Sequence, residues 1–473
     1  MKYNYNIIVI GGGSAGLVVA SSGATLGAKV ALVEKNKMGG DCLNTGCVPS
    51  KSFLKTAHLA KDIRNSASFG LDAVLGDVDM NKVMNRVHSI IADIAPHDSK
   101  ERFESLGVDV FMEKGELVDP NTVKIGDKTI TGEHIVISTG SSAAVPPIPG
   151  LNTVPYLTNE NIFKISELPK HLIILGGGPI GLELGQGFIH LGSKVTVIDM
   201  LPVLFPKDDP EVGPMMIDIF KEEGMSFHLS TKILEVKKDG DNIVVSIEKD
   251  GNRSKVKGDA LLVSLGRKPN TKGLSLEKAG IKVNQRGYIE VNNHLRTSAK
   301  NIYACGDIAG PYQFTHMAGY QAGIVIRKII FKLPAGVNYN AVPWTTYTKP
   351  EVAHVGYTEP AARDANVFEE CIFIDLKNID RAKAEGDTKG FLKLCLDKNK
   401  KVIGATFVGE KAGELIALAN LAINKKMKAS EFAGIIFSYP TQSEIYKFAA
   451  YELMKESFTD WKKNLIKTVF IKQ

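Results

Sequence analysis

The chain opens on polar residues and passes at Ile7 into an apolar run, IIVI, that stops at a glycine triplet, 11 to 13. A short unbroken apolar run bounded by turn residues predicts a strand buried on both faces. Apolar residues then recur at helical spacing through AGLVVASSGAT, and a second apolar stretch, VALV, closes on Glu34. The same pattern returns downstream. IVIGGGSAG (8 to 16) matches IILGGGPIG (173 to 181), and LGAKVALVE (26 to 34) matches LGSKVTVID (191 to 199), at an offset of 165 residues. Each copy predicts strand, glycine turn, helix and a second strand ending in an acid.

Gly11, Gly13 and Gly16 correspond to Gly176, Gly178 and Gly181. At this spacing glycines serve a tight turn, close approach of backbone to a pyrophosphate, and close packing of helix on strand, with the helix N-terminus facing the phosphates. Glu34 and Asp199 each follow the first glycine of their copy by 23 residues, where an acid accepts hydrogen bonds from a ribose diol. Two such units in register predict a chain that binds two dinucleotides. A carboxylate at Asp199 would repel a 2′-phosphate, and MLPVLFPK after it carries no Arg, so NADH is expected over NADPH.

Composition sets the frame for these units. With 473 residues, 44% of them hydrophobic, the chain has room for two to four domains with their own cores. The net charge of +6 is spread along the length, which argues weakly for anionic ligands and against nucleic acid. No secretory leader precedes the first strand and no apolar run reaches the roughly 18 to 20 residues of a membrane span, so the cytoplasm is the expected compartment. Five cysteines (Cys42, Cys47, Cys305, Cys371, Cys395) are too few for a disulfide scaffold.

Two of them stand close together in MGGDCLNTGCVPSK, 38 to 51. A zinc site would need two more ligands at suitable spacing, and no second Cys pair or nearby His pair supplies them, so no metal is expected. A structural disulfide would be an odd choice in a reducing compartment. GGDCLNTGCVPSK is similar to the active-disulfide motif of the pyridine-nucleotide-disulfide oxidoreductases, the group of dihydrolipoamide dehydrogenase, glutathione reductase and mercuric reductase. ISTGS (137 to 141), GRKPN (266 to 270) and NIYACGDIAG (301 to 310) resemble that family's later motifs, in its order.

The resemblance implies an α/β fold: two Rossmann-like dinucleotide-binding domains and a C-terminal α+β dimerisation domain. FAD would be held by residues 1–150 and 272–340, NAD by 151–271, and the dimer contact by 341–473. It assigns Gly11, Gly13, Gly16, Glu34, Lys51, Thr139, Gly140 and Asp307 to FAD, with Asp307 on the ribityl chain. Gly176, Gly178, Gly181, Asp199 and Gly266 fall to the nicotinamide cofactor. Cys47 becomes the thiolate against the flavin and Cys42 the interchange thiol. Lys51 would favour both thiolate and reduced flavin as a nearby cation, paired with Glu183. A homodimer is implied. Two small departures are SLG at 264 to 266 for the more usual ATG, and Pro179 where some members carry an aromatic lid.

The output side departs further. Family members with a C-terminal His-Pro-Thr motif use the His as acid/base, oriented by a Glu. Here the segment reads Tyr439, Pro440, Thr441, Gln442, Ser443, Glu444. A Tyr of pKa about 10 is roughly 0.1% ionised at pH 7, so it is a poor base but a usable donor. Mercuric reductase resembles this chain in carrying Tyr there, yet it uses a C-terminal cysteine pair, and this chain ends TVFIKQ. His316 is expected in a packing or polar-contact role beside the flavin. In the tail, Met454, Phe458, Trp461, Leu465 and Val469 follow helical spacing with Lys455, Lys462, Lys463 and Lys467 between them. That pattern fits an amphipathic helix docked on its own subunit or the dimer partner, or one lying on a membrane surface with a quinone as acceptor. The functional expectation is an NADH-dependent flavoenzyme near the mercuric reductase branch, delivering electrons to a small-molecule disulfide or other acceptor. A working dihydrolipoamide dehydrogenase and a redox sensor without turnover are the alternatives.

Overall fold

The computed structural model describes residues 2–457 and 459–471. The chain divides into two compact units, Met1–Pro202 with Glu223–Val337, and Val203–Glu222 with Asn338–Gln473.

In the first unit both predicted repeats form. Strand Tyr5–Ile10 leads into helix Ser14–Thr25 and strand Val30–Val33; strand His171–Leu175 leads into helix Pro179–Leu191 and strand Lys194–Ile198. Each pair of strands is parallel, in register Ile7↔Val30 and His171↔Lys194. Parallel strands need a crossover, and the helix supplies it. Strand Lys128–Ile137 joins the other side of Tyr5–Ile10 (Ile7↔His134), and Ala260–Val263 joins His171–Leu175 (Ala260↔Leu172). Ile7, Ile8 and Val9, like Leu172 to Leu175, are wholly buried, as strands covered on both faces must be. The first sheet has seven strands and the second four, so both match the α/β expectation. A three-stranded antiparallel sheet over residues 232–258 and a two-stranded one, Ser141–Ala143 with Arg267–Pro269, complete the unit's strands.

The second unit is built on a five-stranded antiparallel sheet in which Pro343–Thr346 and Glu370–Asp375 form the two edges. One face carries Leu392, Leu394, Leu396 and Ile372, packed against Ile416, Ala419 and Ala422 of helix Ala412–Lys425 and Tyr446 of helix Ile445–Ser457. Residues 203–222 lie inside the span expected for the nicotinamide domain, yet they cluster with this unit. Asp209 is one tie that holds them there. It is 1% exposed and accepts hydrogen bonds from Thr406 Oγ1 at 2.5 Å and the Glu359 amide at 2.9 Å, with Lys393 Nζ at 3.3 Å.

The tail does not run as one helix. Ile445–Ser457 ends before Thr459, whose extended ψ of 157° breaks the run, and Asp460 opens a second helix, Asp460–Val469. Phe458 lies outside the described residues. No residue of Asp460–Val469 is buried, and Trp461, Leu465 and Val469 are exposed. Among the described residues no helix is long and apolar enough to cross a membrane.

Candidate active site

The two glycine turns obey one steric rule. Gly11 and Gly176 have φ of +110° and +103°, and a Cβ on either would stand 2.5 Å from the carbonyl oxygen of Ser138 or Ser264. Gly16 and Gly181 face the carbonyl oxygens of Gly11 and Gly176 at 1.9 and 2.3 Å from where a Cβ would sit. These four positions are fixed by the chain's own packing. Gly178 differs, because its φ is −77° and a Cβ there would meet nothing within 4 Å. Its glycine leaves room beside a helix N-terminus, which fits a pyrophosphate.

The acids fit as well. Glu34 accepts from the amides of Gly12 and Asn36, both at 2.7 Å, and Asp199 from those of Gly177 and Leu201 at 2.6 and 2.7 Å. Each carboxylate oxygen keeps a second lone pair for a sugar hydroxyl. Pro179 occupies the first turn of its helix, where a missing N–H costs nothing.

The duplication extends to two serines that the sequence reading passed over. Ser138 Oγ donates to the carbonyls of Ile10 and Gly11 at 3.2 and 3.0 Å, and Ser264 Oγ to those of Leu175 and Gly176 at 3.0 and 2.9 Å. The serine of SLG thus ties strand to glycine turn in the second copy. Next to these serines, Gly140 and Gly266 take φ of +65° and +112°. Thr139 Oγ1 donates to the Asn270 carbonyl at 3.0 Å, and Asn270 Nδ2 returns a bond to the Thr139 carbonyl at 2.9 Å.

The redox segment is seated on the first glycine turn. Gly39 and Gly40 have φ of +86° and +58°, and a Cβ on Gly40 would lie 2.6 Å from Gly13 Cα. This turn starts the short helix Gly40–Asn44 that carries Cys42, and Cys47 is the first residue of helix Cys47–Arg64. Both sulfurs are free thiols. The Cys47 thiol is held down to about 6, first by the hydrogen bond from Cys42, against burial, and then by Thr315 and the Lys51 charge. Thr315 Oγ1 stands 3.3 Å from Cys47 Sγ. Cys42 moves the opposite way: the shared proton and burial push its thiol up.

One helical turn beyond Cys47, Lys51 Nζ donates to Glu183 Oε2 at 2.8 Å, a carboxylate 8% exposed on helix Pro179–Leu191. The sequence-expected pair is therefore in contact. His316 follows Thr315 at the start of helix Thr315–Ile329, its ring stacked on Phe314 at 5.2 Å.

A bridge that the sequence reading did not single out joins the redox segment to Asp307. Arg267 Nη2 donates to Asp41 Oδ2 at 2.8 Å, and its Nε to Ser141 Oγ at 2.7 Å. Ser141 Oγ donates in turn to Asp307 Oδ2 at 2.5 Å. Burial raises the Asp307 carboxyl, and Ser141 and Arg267 oppose that rise. Asp41 also accepts from Thr45 Oγ1 at 2.5 Å and Asn159 Nδ2 at 3.1 Å. The available signal was the Arg inside GRKPN and the acid directly before Cys42.

Tyr439 and Glu444 belong to the second unit. The Tyr439 side chain is 72% exposed, and its hydroxyl donates to Asp380 Oδ2 at 3.4 Å. Glu444 accepts instead from the Thr441 amide, at 3.4 Å, capping its own turn. The two are not paired with each other.

Sequence comparison agrees with this architecture. Residues 5–322 match the family described as pyridine nucleotide-disulphide oxidoreductase, and residues 342–450 match that family's dimerisation domain. Mercuric reductase of Bacillus cereus is 32% identical over 456 residues, covering 96% of this chain and 72% of that one. Dihydrolipoyl dehydrogenase of Geobacillus stearothermophilus is 35% identical over 453 residues, 94% of this chain and 95% of that one. Among solved structures, the HOCl-induced flavoprotein disulfide reductase RclA from Escherichia coli superimposes with a TM-score of 0.85 at 28% identity, covering 94% of this chain and 99% of that one. The chain belongs to the pyridine nucleotide-disulphide oxidoreductases. It is thus an enzyme of the FAD-dependent disulfide oxidoreductase class, for which FAD and a pyridine nucleotide are the expected cofactors.

Proposed function

We propose that the enzyme works in the cytoplasm as a homodimer, takes electrons from NADH in preference to NADPH, and delivers them through the Cys42 and Cys47 pair to a small-molecule disulfide or related acceptor. The observation that carries this reading is the Cys47 thiol held at about 6 beside Cys42, Thr315 and Lys51. A sulfur that ionises below neutral pH is suited to two-electron exchange.

Bound FAD would supply the electron relay between nicotinamide and disulfide. Its cradle is Gly11, Gly13, Gly16, Glu34, Thr139, Gly140 and Asp307, over residues 1–150 and 272–340. Gly176, Gly178, Gly181, Asp199 and Gly266 would hold the nicotinamide cofactor within 151–271, and 341–473 would form the dimer contact. Lys51 stabilises negative charge at Cys47 and is itself held by Glu183. Cys42 keeps the shared proton and is the sulfur that attacks the acceptor once that proton leaves. Tyr439 would donate a proton to the departing acceptor group, its hydroxyl being neutral at pH 7.

Anaerobic addition of one equivalent of NADH to the FAD-loaded, oxidised enzyme should expose two new alkylatable thiols, at Cys42 and Cys47. Steady-state rates with lipoamide, glutathione disulfide, quinones and mercuric ion would then rank acceptors. A higher kcat/KM for NADPH than for NADH would remove the cofactor assignment. Failure of Cys42 and Cys47 to become reduced would remove the electron path through them.

The 35% identity to a dihydrolipoyl dehydrogenase favours a second reading, oxidation of dihydrolipoamide by NAD. That direction needs a base. Replacing Tyr439 by His should raise dihydrolipoamide turnover if base strength limits it, and no gain at any pH between about 6 and 9 would count against that reading.

A further inference from the structure

Two of the remaining cysteines are far apart in sequence and face each other in the second unit. Cys371 lies on the edge strand Glu370–Asp375 and Cys395 on its neighbour Phe391–Leu396, and the two are direct partners in the antiparallel register. Their sulfurs are 2.6 Å apart. Directly opposed residues in antiparallel strands have Cα atoms about 4.5 to 5.5 Å apart, within the roughly 4.4 to 6.8 Å that a disulfide spans. The backbone therefore needs no movement to join them. Ile372, Ile374, Leu394 and Leu396 point into the core beneath the helices, so the alternation of the strand sends both thiols to the other face. Cys395 is 1% exposed, whereas Cys371 is partly open to solvent.

We infer that Cys371 and Cys395 form a second dithiol–disulfide site, distinct from Cys42 and Cys47, which exchanges with small-molecule disulfides. The chemistry follows from the asymmetry of the two thiols. Cys371, the reachable sulfur, loses its proton and attacks one sulfur of the small disulfide; that S–S bond breaks, and the first small thiol leaves with the proton. Cys395 then attacks Cys371 Sγ in the mixed disulfide, its own proton leaving on the second small thiol. The protein pair is oxidised by two electrons and the small disulfide is reduced to two thiols. The hydrogen bond with Cys371 and burial both push the Cys395 thiol up, so the first attack falls to Cys371, and Cys395 takes the second step because it already lies against Cys371 Sγ.

The site braces the edge strand to its neighbour, two residues along from Lys393. This inference is independent of the acceptor or cofactor preference proposed above. To test it, the holoenzyme is equilibrated with glutathione and glutathione disulfide at graded ratios and quenched in acid. Free thiols are alkylated and the peptides mapped by mass. The expected result is a cross-linked peptide joining Cys371 to Cys395 that grows with the proportion of glutathione disulfide and disappears with dithiothreitol. Cys371→Ser and Cys395→Ala should each abolish it while Cys42 and Cys47 still oxidise as in the parent. Full alkylation of Cys371 and Cys395 under conditions that oxidise Cys42 and Cys47 would overturn the inference. So would glutathione retained on Cys371 without a cross-link. The parent enzyme alone decides between these outcomes.

Discussion

Cys42 keeps a proton and shares it with Cys47, and that single hydrogen bond is the largest influence holding the Cys47 thiol at about 6. Thr315 and Lys51 act in the same direction, while burial and Asp41 act against it. Each sign can be checked by following the alkylation rate of Cys47 against pH in the reduced enzyme, which should rise through the thiolate midpoint near pH 6. Thr315→Val removes a hydrogen bond to the thiolate and Lys51→Met removes a cation, so both should move the midpoint upward, Thr315→Val by more. Asp41→Asn removes a neighbouring negative charge and should move it downward, by less than about one unit for an anion already bridged to Arg267. A downward shift on losing Lys51, or an upward one on losing Asp41, would show that the local charges do not govern this sulfur.

At the scale of the element, the glycine turns separate what the fold needs from what a ligand needs. Gly181 sits against the Gly176 carbonyl, where a Cβ would approach to 2.3 Å, so Gly181→Ala must push helix from strand. A loss of about 2 kcal/mol or more is expected, seen as a lower melting temperature. Gly178 has an ordinary φ and open space around it, so Gly178→Ala should leave the melting temperature within about 1 °C of the parent. If the proposed nicotinamide site is here, its Cβ would instead enter the space beside the phosphates, raising KM for the pyridine nucleotide with little change in kcat. Equal destabilisation by the two substitutions would contradict this division. The repeat made these turns readable from sequence because strand, turn, helix and acid lie within 30 consecutive residues. The tail departs from its one-helix pattern for a local reason too: apolar spacing continues past 457, but Thr459 leaves the helical conformation.

Across the whole molecule, legibility fell with sequence separation. Lys51 and Glu183 are 132 residues apart, yet a family motif flagged both; Asp41 and Arg267, 226 apart, had no comparable flag on the acid. The segment 203–222 shows the same limit, since nothing in its pattern reveals that Asp209 belongs with Lys393, 184 positions on. Lys393 is 2% exposed, with Glu211 Oε1 at 2.7 Å, Glu359 Oε2 at 2.8 Å and Asp209 Oδ1 at 3.3 Å. Burial opposes its charge, but these acids outweigh burial and push its pKa up. Glu211 and Glu359 can turn to solvent if the ammonium is lost, because their side chains are 43% and 26% exposed; Asp209, at 1%, cannot. Lys393→Met should therefore cost about 3 to 5 kcal/mol in denaturant unfolding, most of it from an uncompensated charge on Asp209. Adding Asp209→Asn to Lys393→Met should recover part of that loss, because the buried anion is gone. A double variant as unstable as the two single losses added together would mean that Lys393 and Asp209 act independently.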